Sequence, residues 1–416
     1  MLEYFLVLVY FVSLKFFFVG NHLIEIKEFG EDSWFLVNKF TPQCNLFHMI
    51  KDGFLNSISK FLYSDKFKAG RPIKVPSVVW LHLKSWKLCI GELDVEGGVM
   101  RFMTQSAFHT YSILSNSQPP FKVPLLLPSS NILFHELFDV SEGESSWIES
   151  GIIGSAHHQT QLLCFRKFFM LQPGGATIKQ QSEVWRAFSQ VLREDLSKKC
   201  DVKLRRRRLK ENPIVISFLH RTKTRTFPNS TISSLYDQIR SSLPDKEFVF
   251  EDGIYHANDI CGSFRAVANA DILISVHGFQ NILMLFLKGA PSQLLKNNSE
   301  FSESNQENFA SSFLSINPPK RLWPVEHFYL PVSDKLGLEQ HENFEITFET
   351  SNQPPHLQEI MKLLENGTID QTYLNHHQTR IRRMVKGGFF DFDPTIVALK
   401  VQEMIKKMKY NMKEKI

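Results

Sequence analysis

Hydrophobic positions in the second half of the chain alternate between two kinds of pattern. Ile214-Val-Ile-Ser-Phe-Leu219 is a short apolar run of the kind that forms a buried parallel strand. Ile232, Leu235, Tyr236, Ile239 and Leu243 then recur at helical spacing; Asn229, Ser230 or Thr231 caps that helix and Pro244 stops it. Phe248-Val-Phe250 reads as a second strand. Asn258 or Asp259 opens a second helix, with Ile260, Phe264, Val267 and Ala268 on one face. Asp271-Ile-Leu-Ile-Ser-Val276 is a third strand, Phe279 to Leu287 a very apolar third helix ended near Gly289, and Gln293-Leu-Leu295 a fourth strand. Lys296 to Ser312, rich in Ser, Asn and Glu, reads as a flexible surface loop. From Asp393, Ile396, Val397, Val401, Met404, Ile405 and Met408 mark an amphipathic last helix.

Strands and helices in this alternation imply an α/β fold with a parallel sheet and helices on both faces. In such sheets ligands sit beyond the carboxyl ends of the strands. That puts Leu219–Arg225 and His277–Gln280 on one rim.

The first half is less regular. Ser77-Val-Val-Trp-Leu-His-Leu83 and Phe121-Lys-Val-Pro-Leu-Leu-Leu127 look strand-like, and Ser182 to Leu196 looks helical. Tyr4 to Val19 is apolar except for Ser13 and Lys15 and is long enough, as a helix, to span most of a hydrocarbon core. Phe18 before Gly20 makes a poor cleavage site, which favours an uncleaved signal anchor over a signal peptide for residues 1–20. The alternative is a buried N-terminal strand or helix; Lys15 within the run and Lys27 after it speak for that.

Composition changes this picture little. The chain has 416 residues, 43% apolar and 22% charged, enough for two or three globular domains, and its net charge of +5 is a mild excess. Phe is over-used, with 37 residues, mostly within apolar runs read as core. The basic block Leu204-Arg-Arg-Arg-Arg-Leu-Lys210 precedes Glu-Asn-Pro and reads as a solvated inter-domain linker. No aromatic-interleaved basic surface accompanies it, so nucleic acid is not an expected partner. Cys44, Cys89, Cys164, Cys200 and Cys261 are widely spaced, which argues against a structural zinc. Asn229, Asn297 and Asn366 head glycosylation triplets.

Two segments carry chemistry. Arg221, Lys223 and Arg225 place three cations in one loop directly after a buried strand, and the next helix N-terminus adds its dipole. An Arg fork can hold a diphosphate bidentately; an exposed basic loop is the bland reading. Val276-His-Gly-Phe-Gln280 sets His277 and Gly278 between a strand and a helix, where His277 can donate to an oxygen and Gly278 permits close backbone approach. A structural His is the commoner use of such a position.

Arg221, Arg225 and Asn229 in R-x-x-x-R-x-x-x-N register, followed by Ala270 to Gly278 leading into an apolar helix, resemble glycosyltransferase family 61, the family of the plant β-1,2-xylosyltransferases and the EGF-domain-specific O-GlcNAc transferase. Asn131-Ile-Leu-Phe-His135 with Asp139, and Leu163-Cys-Phe-Arg166, resemble its upstream segments. The chain departs at Phe279, where the family has Ala, at Leu287-Lys-Gly-Ala290, which is shorter, and at Gln293-Leu-Leu-Lys296, which lacks an acidic residue.

The resemblance implies a GT-B-like enzyme of two Rossmann-like lobes with a cleft between them. Residues 21–205 are then the acceptor-side lobe and 206–416 the nucleotide-sugar lobe, with the last helix, 394–412, a candidate to pack back on the first lobe. It implies an inverting glycosyltransferase moving N-acetylglucosamine or xylose from a UDP-sugar to a glycan or glycoprotein, without cofactor or essential metal, at a Golgi or endoplasmic reticulum membrane. Arg221, Arg225, Asn229, His277, Gly278, Phe279 and Gln280 would bind the nucleotide-sugar; Asp139, His135 and His277 are the catalytic candidates. Inversion needs a base for the acceptor hydroxyl and positive charge for the leaving diphosphate. The competing class is a non-catalytic, membrane-anchored glycan- or nucleotide-binding protein of the same fold. A metal-binding reading of Asp391-Phe-Asp393 is weaker, because an exposed turn before Pro394 accounts for it. The pairs His157-His158 and His376-His377 read as surface.

Overall fold

The computed structural model describes residues 178–205, 213–220, 227–242, 248–254, 259–296, 309–317, 329–346 and 391–414 of the second half, five strands of the first half, and a few short pieces elsewhere. The chain divides into two compact units, Met1–Gln181 and Ser182–Ile416.

The first unit holds a five-stranded sheet. Strand β1 (Phe16–Val19) runs antiparallel to β2 (His22–Asn38), with Phe16 opposite Glu25. β2 pairs in parallel with β3 (Val78–Leu83) and with β5 (Thr160–Met170), and β3 with the short β4 (Leu125–Leu126). The expected strand at 77–83 therefore appears, and Leu125–Leu126 within the expected strand at 121–127 is in β4. The end of the N-terminal apolar run, Phe16–Val19, is in a strand; Met1–Lys15 lies outside the described residues. Among the described residues no helix is long and apolar enough to cross a membrane.

The second unit is an α/β fold on a five-stranded, wholly parallel sheet. Its strands are β6 (Ile214–His220), β7 (Phe248–Ile254), β8 (Ile272–Val276), β9 (Ser312–Asn317) and β10 (Gln340–Glu345). They lie in the order β10-β9-β8-β6-β7. The chain steps from β6 outward to β7, then returns across β6 to β8. That reversal is a topological switch point, with its crevice at the carboxyl ends of β6 and β8.

The two faces of this sheet differ in kind. Ile214, Ile216, Phe218, Ile272, Ile274, Val276, Leu314, Ile316 and Phe344 form one apolar core with helix α2 (Asn229–Ser242) and the last helix, α5 (Pro394–Glu414). The other face carries Ser217, Ser275 and Ser315, all buried. Helix α3 (Ile260–Val267) lies against it, its Ala266 carbonyl accepting a hydrogen bond from the Ser217 hydroxyl. Alternation along each strand thus separates an apolar side from one where these serines share the face with buried Leu219, Leu273 and Phe313.

Several expectations change. Helix α1 (Ile178–Cys200), expected in the first lobe, belongs from Ser182 onward to the second unit. Its Val184, Trp185, Phe188, Val191 and Leu192 are buried. Ser189 Oγ donates to Leu285 O at 2.8 Å and Arg193 Nη2 to Ala268 O at 3.2 Å. Cys200 and Cys261 form a disulfide that ties the end of α1 to the start of α3. The stretch after α1 is not simply a solvated linker: Arg205 pairs with the fully buried Asp271. The expected apolar helix after β8 is present and is of 3-10 type, Phe279–Phe286.

Gln293–Leu295 is a 3-10 turn instead of a strand. Its amides find acceptors outside any sheet, the neighbouring Ser292 Oγ for Leu294 N and the Glu183 carboxylate, 110 residues away in sequence, for Gln293 N. The fourth strand of the unit is β9, whose first residue, Ser312, falls at the end of the expected loop. The apolar face of α5 packs on α2 within its own unit, and Gln340 Nε2 of β10 donates to Met404 O.

Candidate functional site

β8 carries its chain to the carboxyl edge of the sheet, and the sequence then turns sharply. The His277 amide continues the β8–β9 ladder by donating to Ile316 O at 2.7 Å. Gly278 is in an extended conformation and precedes the 3-10 helix. Both residues are buried, His277 at 7% exposure.

Tyr329 closes over this turn. It stands at the N-cap of helix α4 (Leu330–Leu336) and is itself buried. Gly278 N donates to Tyr329 Oη at 3.0 Å, Tyr329 Oη lies 3.1 Å from Gly278 O, and His277 Nδ1 is 3.2 Å from the same oxygen. The two rings meet edge to face, 5.3 Å between centroids. The Gly278 amide is therefore committed inside the protein, whereas the sequence leads one to expect close approach of this backbone to a ligand.

Gln280, the last residue of the His-Gly-Phe-Gln segment, is fully buried and donates from Nε2 to Val276 O at 2.7 Å. Phe279 begins the 3-10 helix. Behind them lies a row of small polar side chains that cross-strand register lines up: Ser275 beside Ser315, and Ser315 beside Asn343. Ser275 Oγ donates to Asn281 Oδ1 at 2.8 Å, the Ser315 hydroxyl to Asn343 Oδ1, and Asn317 Nδ2 to Ser315 Oγ at 2.8 Å. Among the described residues, the buried Gln280 Oε1, Asn281 Nδ2 and Asn317 Oδ1 have no hydrogen-bond partner. Polar atoms in that condition are places where a water or a ligand group is accommodated. No sequence pattern marks these residues or Tyr329. Isolated Ser and Asn in a sequence carry no sign of alignment until the strands are paired.

The cationic segment follows, in sequence, the strand next to β8. β6 and β8 are neighbours, with Leu219 level with Ser275, and β6 ends at His220, one residue before Arg221. Arg221, Lys223 and Arg225 lie outside the described residues, as do His135 and Asp139. Asn229 is exposed at the first residue of α2.

The metal-binding reading of Asp391 and Asp393 gives way to helix capping. Asp391 Oδ1 accepts from Thr231 Oγ1 at 2.7 Å and from Phe392 N at 2.9 Å, while Asp393 Oδ1 accepts from Thr395 N at 2.8 Å at the start of α5. Phe392 between them is fully buried, so the segment is a packed joint between α2 and α5 rather than an exposed turn. Among the described residues no cluster of three or more His, Cys, Asp or Glu side chains could hold a metal ion. His157, His158, His376 and His377 lie outside the described residues.

No protein-family model matches this sequence, and no curated protein matches it significantly.

Proposed function

We propose that this protein is an inverting glycosyltransferase of GT-B type. It moves a sugar, N-acetylglucosamine or xylose first among them, from a UDP-sugar to a glycan or glycoprotein in the secretory pathway. The observation that carries the reading is the switch point: β6 and β8 are adjacent, and the two segments that resemble family 61 leave their carboxyl ends. Arg221 and Arg225 supply positive charge to the leaving diphosphate, helped by the N-terminus of α2, which follows that loop in sequence. His277 adds a donor from the neighbouring strand end. Asp139, with His135 as the alternative, acts from the first lobe as base for the acceptor hydroxyl. The Cys200–Cys261 disulfide supports an oxidising compartment. Asn229 and Asn366, each heading a glycosylation triplet, are exposed; Asn297 is outside the described residues.

The second reading, a non-catalytic nucleotide- or glycan-binding protein, draws on Gln293–Lys296. This segment carries no acid, and Leu294 is exposed on a 3-10 turn. Full-length chain made in a secretory host and incubated with labelled UDP-sugars separates the two. Transfer to a glycan acceptor, or slow hydrolysis of one donor, is the expected result. UDP binding with neither, across a panel of donors and acceptors, selects the second reading. An N-glycosidase-sensitive mass increase is expected in the same material; its absence refutes the secretory location.

A further inference from the structure

A cavity of about 380 Å³, part of it open to solvent, lies at the amino-terminal edge of the parallel sheet. Its wall includes Lys288, whose carbonyl accepts from Ser311 N at 2.7 Å just before β9 begins. Leu204, also in the wall, precedes Arg205, which pairs with Asp271 just before β8 begins. His277 leaves the opposite, carboxyl edge of β8. The cavity is therefore separate from the site described above and independent of the glycosyl-transfer reading.

Helix α1 supplies one side. Arg186 and Arg193 both line the cavity and stand about two turns apart on one side of that helix. With Lys288 they make three cations, and among the described lining residues the one carboxylate is that of Glu194. Arg193 and Lys288 are only 6% and 3% exposed. Charges so far from water are held at a cost unless something nearby compensates them. Arg193 Nη2 donates to Ala268 O at 3.2 Å and Lys288 Nζ lies 3.7 Å from the centre of the Phe309 ring; both side chains make further contacts.

Arg186 differs from them. Its Nη1 reaches Glu183 Oε1 at 3.3 Å, while the other oxygen of that carboxylate accepts from Gln293 N at 2.7 Å and Ser292 Oγ at 3.1 Å. Among the described residues no other hydrogen bond reaches this guanidinium, and its Nε is buried without a partner. Gly337, with φ +65°, makes room for it: a Cβ there would lie 3.0 Å from Arg186 Nη2. A planar donor fork with most of its N–H groups unmatched, on a wall with two more cations, is complementary to an oxyanion.

We propose that this cavity is a second binding site, for a small oxyanion, with Arg186 as its main hydrogen-bond donor and Arg193 and Lys288 adding charge. A phosphate and a small carboxylate share the required chemistry. The volume is near the low end for ligand sites, which suits such an ion better than a nucleotide. The bound anion links α1 to the turn at 288–290.

The test is hydrogen-exchange mass spectrometry of the full-length chain in sodium phosphate, sodium malonate, and sodium chloride of equal ionic strength. Slower exchange at residues 184–194 and 286–290 in phosphate or malonate, beyond that in chloride, is expected, and the more protective anion identifies the class. No such protection by either anion overturns the proposal. Protection confined to the carboxyl edge, around residues 277–280, overturns it too, because the anion then sits at the other site. In folded Arg186→Gln the phosphate or malonate concentration for half-protection should rise at least ~tenfold, the effect of losing a charge-assisted contact. An unchanged midpoint removes Arg186 from the site. If that variant does not fold, the wild-type exchange map still decides.

Discussion

Arg205 Nη1 lies 2.9 Å from Asp271 Oδ2, joining the segment after α1 to the foot of β8. The same carboxylate oxygen accepts from Val215 N at 2.8 Å, so one buried acid links that segment, β6 and β8. Asn269 doubles the connection, accepting from Arg205 N and donating to Lys203 O. Breaking a buried ion pair from one side leaves the other charge stranded. Asp271→Asn should therefore cost about 3 kcal/mol of stability, read as a lowered urea midpoint. A loss under 1 kcal/mol would mean that water reaches Arg205 freely.

The Cys200–Cys261 bridge spans a sequence separation of 61 residues and holds α1 against α3. Closing a loop of that length removes chain entropy worth about 4 kcal/mol from the unfolded state. Mild reductant, or Cys261→Ser, should lower the melting temperature markedly. Peptide mapping without reduction should recover residues 200 and 261 in one cross-linked fragment; finding both as free thiols contradicts the bridge.

His341, on edge strand β10, packs 5.3 Å from the Phe313 ring. Burial lowers its pKa from 6.5 to about 4, against an opposing pull from the Glu342 carboxylate. The folded state thus prefers the neutral ring, and the unfolded chain binds the proton more readily. Stability from this site is present above the unfolded pKa and drains away as pH falls from about 6.5 to 4. The loss should be on the order of 2 kcal/mol, discounted for partial exposure. His341→Leu should flatten the unfolding free energy over that window; an unaltered slope would assign it to other groups.

Arg221 follows His220, the last residue of β6, at the edge where β8 delivers His277. Arg221→Ala should reduce UDP affinity ten- to hundredfold, the ~1.5–3 kcal/mol of a charge-assisted contact. Arg221→Lys should recover only part, because an ammonium cannot fork across two oxygens. Calorimetric titration of the folded variants is decisive; wild-type affinity in Arg221→Ala removes it from the site.

Periodicity alone determined the elements whose two sides are unambiguous. β6 and β8 are continuous apolar runs, and α2 and α5 carry apolar residues at helical spacing, so each was legible within its own stretch of sequence. β9 and β10 were not. Ser315 and Asn343 look like loop residues until β9 and β10 pair and set them side by side on one face of the sheet. Gln293–Leu295 looked like a strand because its apolar pair is local, whereas the acceptor that turns it aside, Glu183, is 110 residues away. Long separation in sequence likewise hid the disulfide, the Arg205–Asp271 pair and the Tyr329 contact with His277, 52 residues apart. Local pattern reports which face of an element must avoid water. Which groups then satisfy the polar atoms left inside is settled only when distant segments meet, because a hydrogen bond depends on atomic position and hydrophobic burial does not.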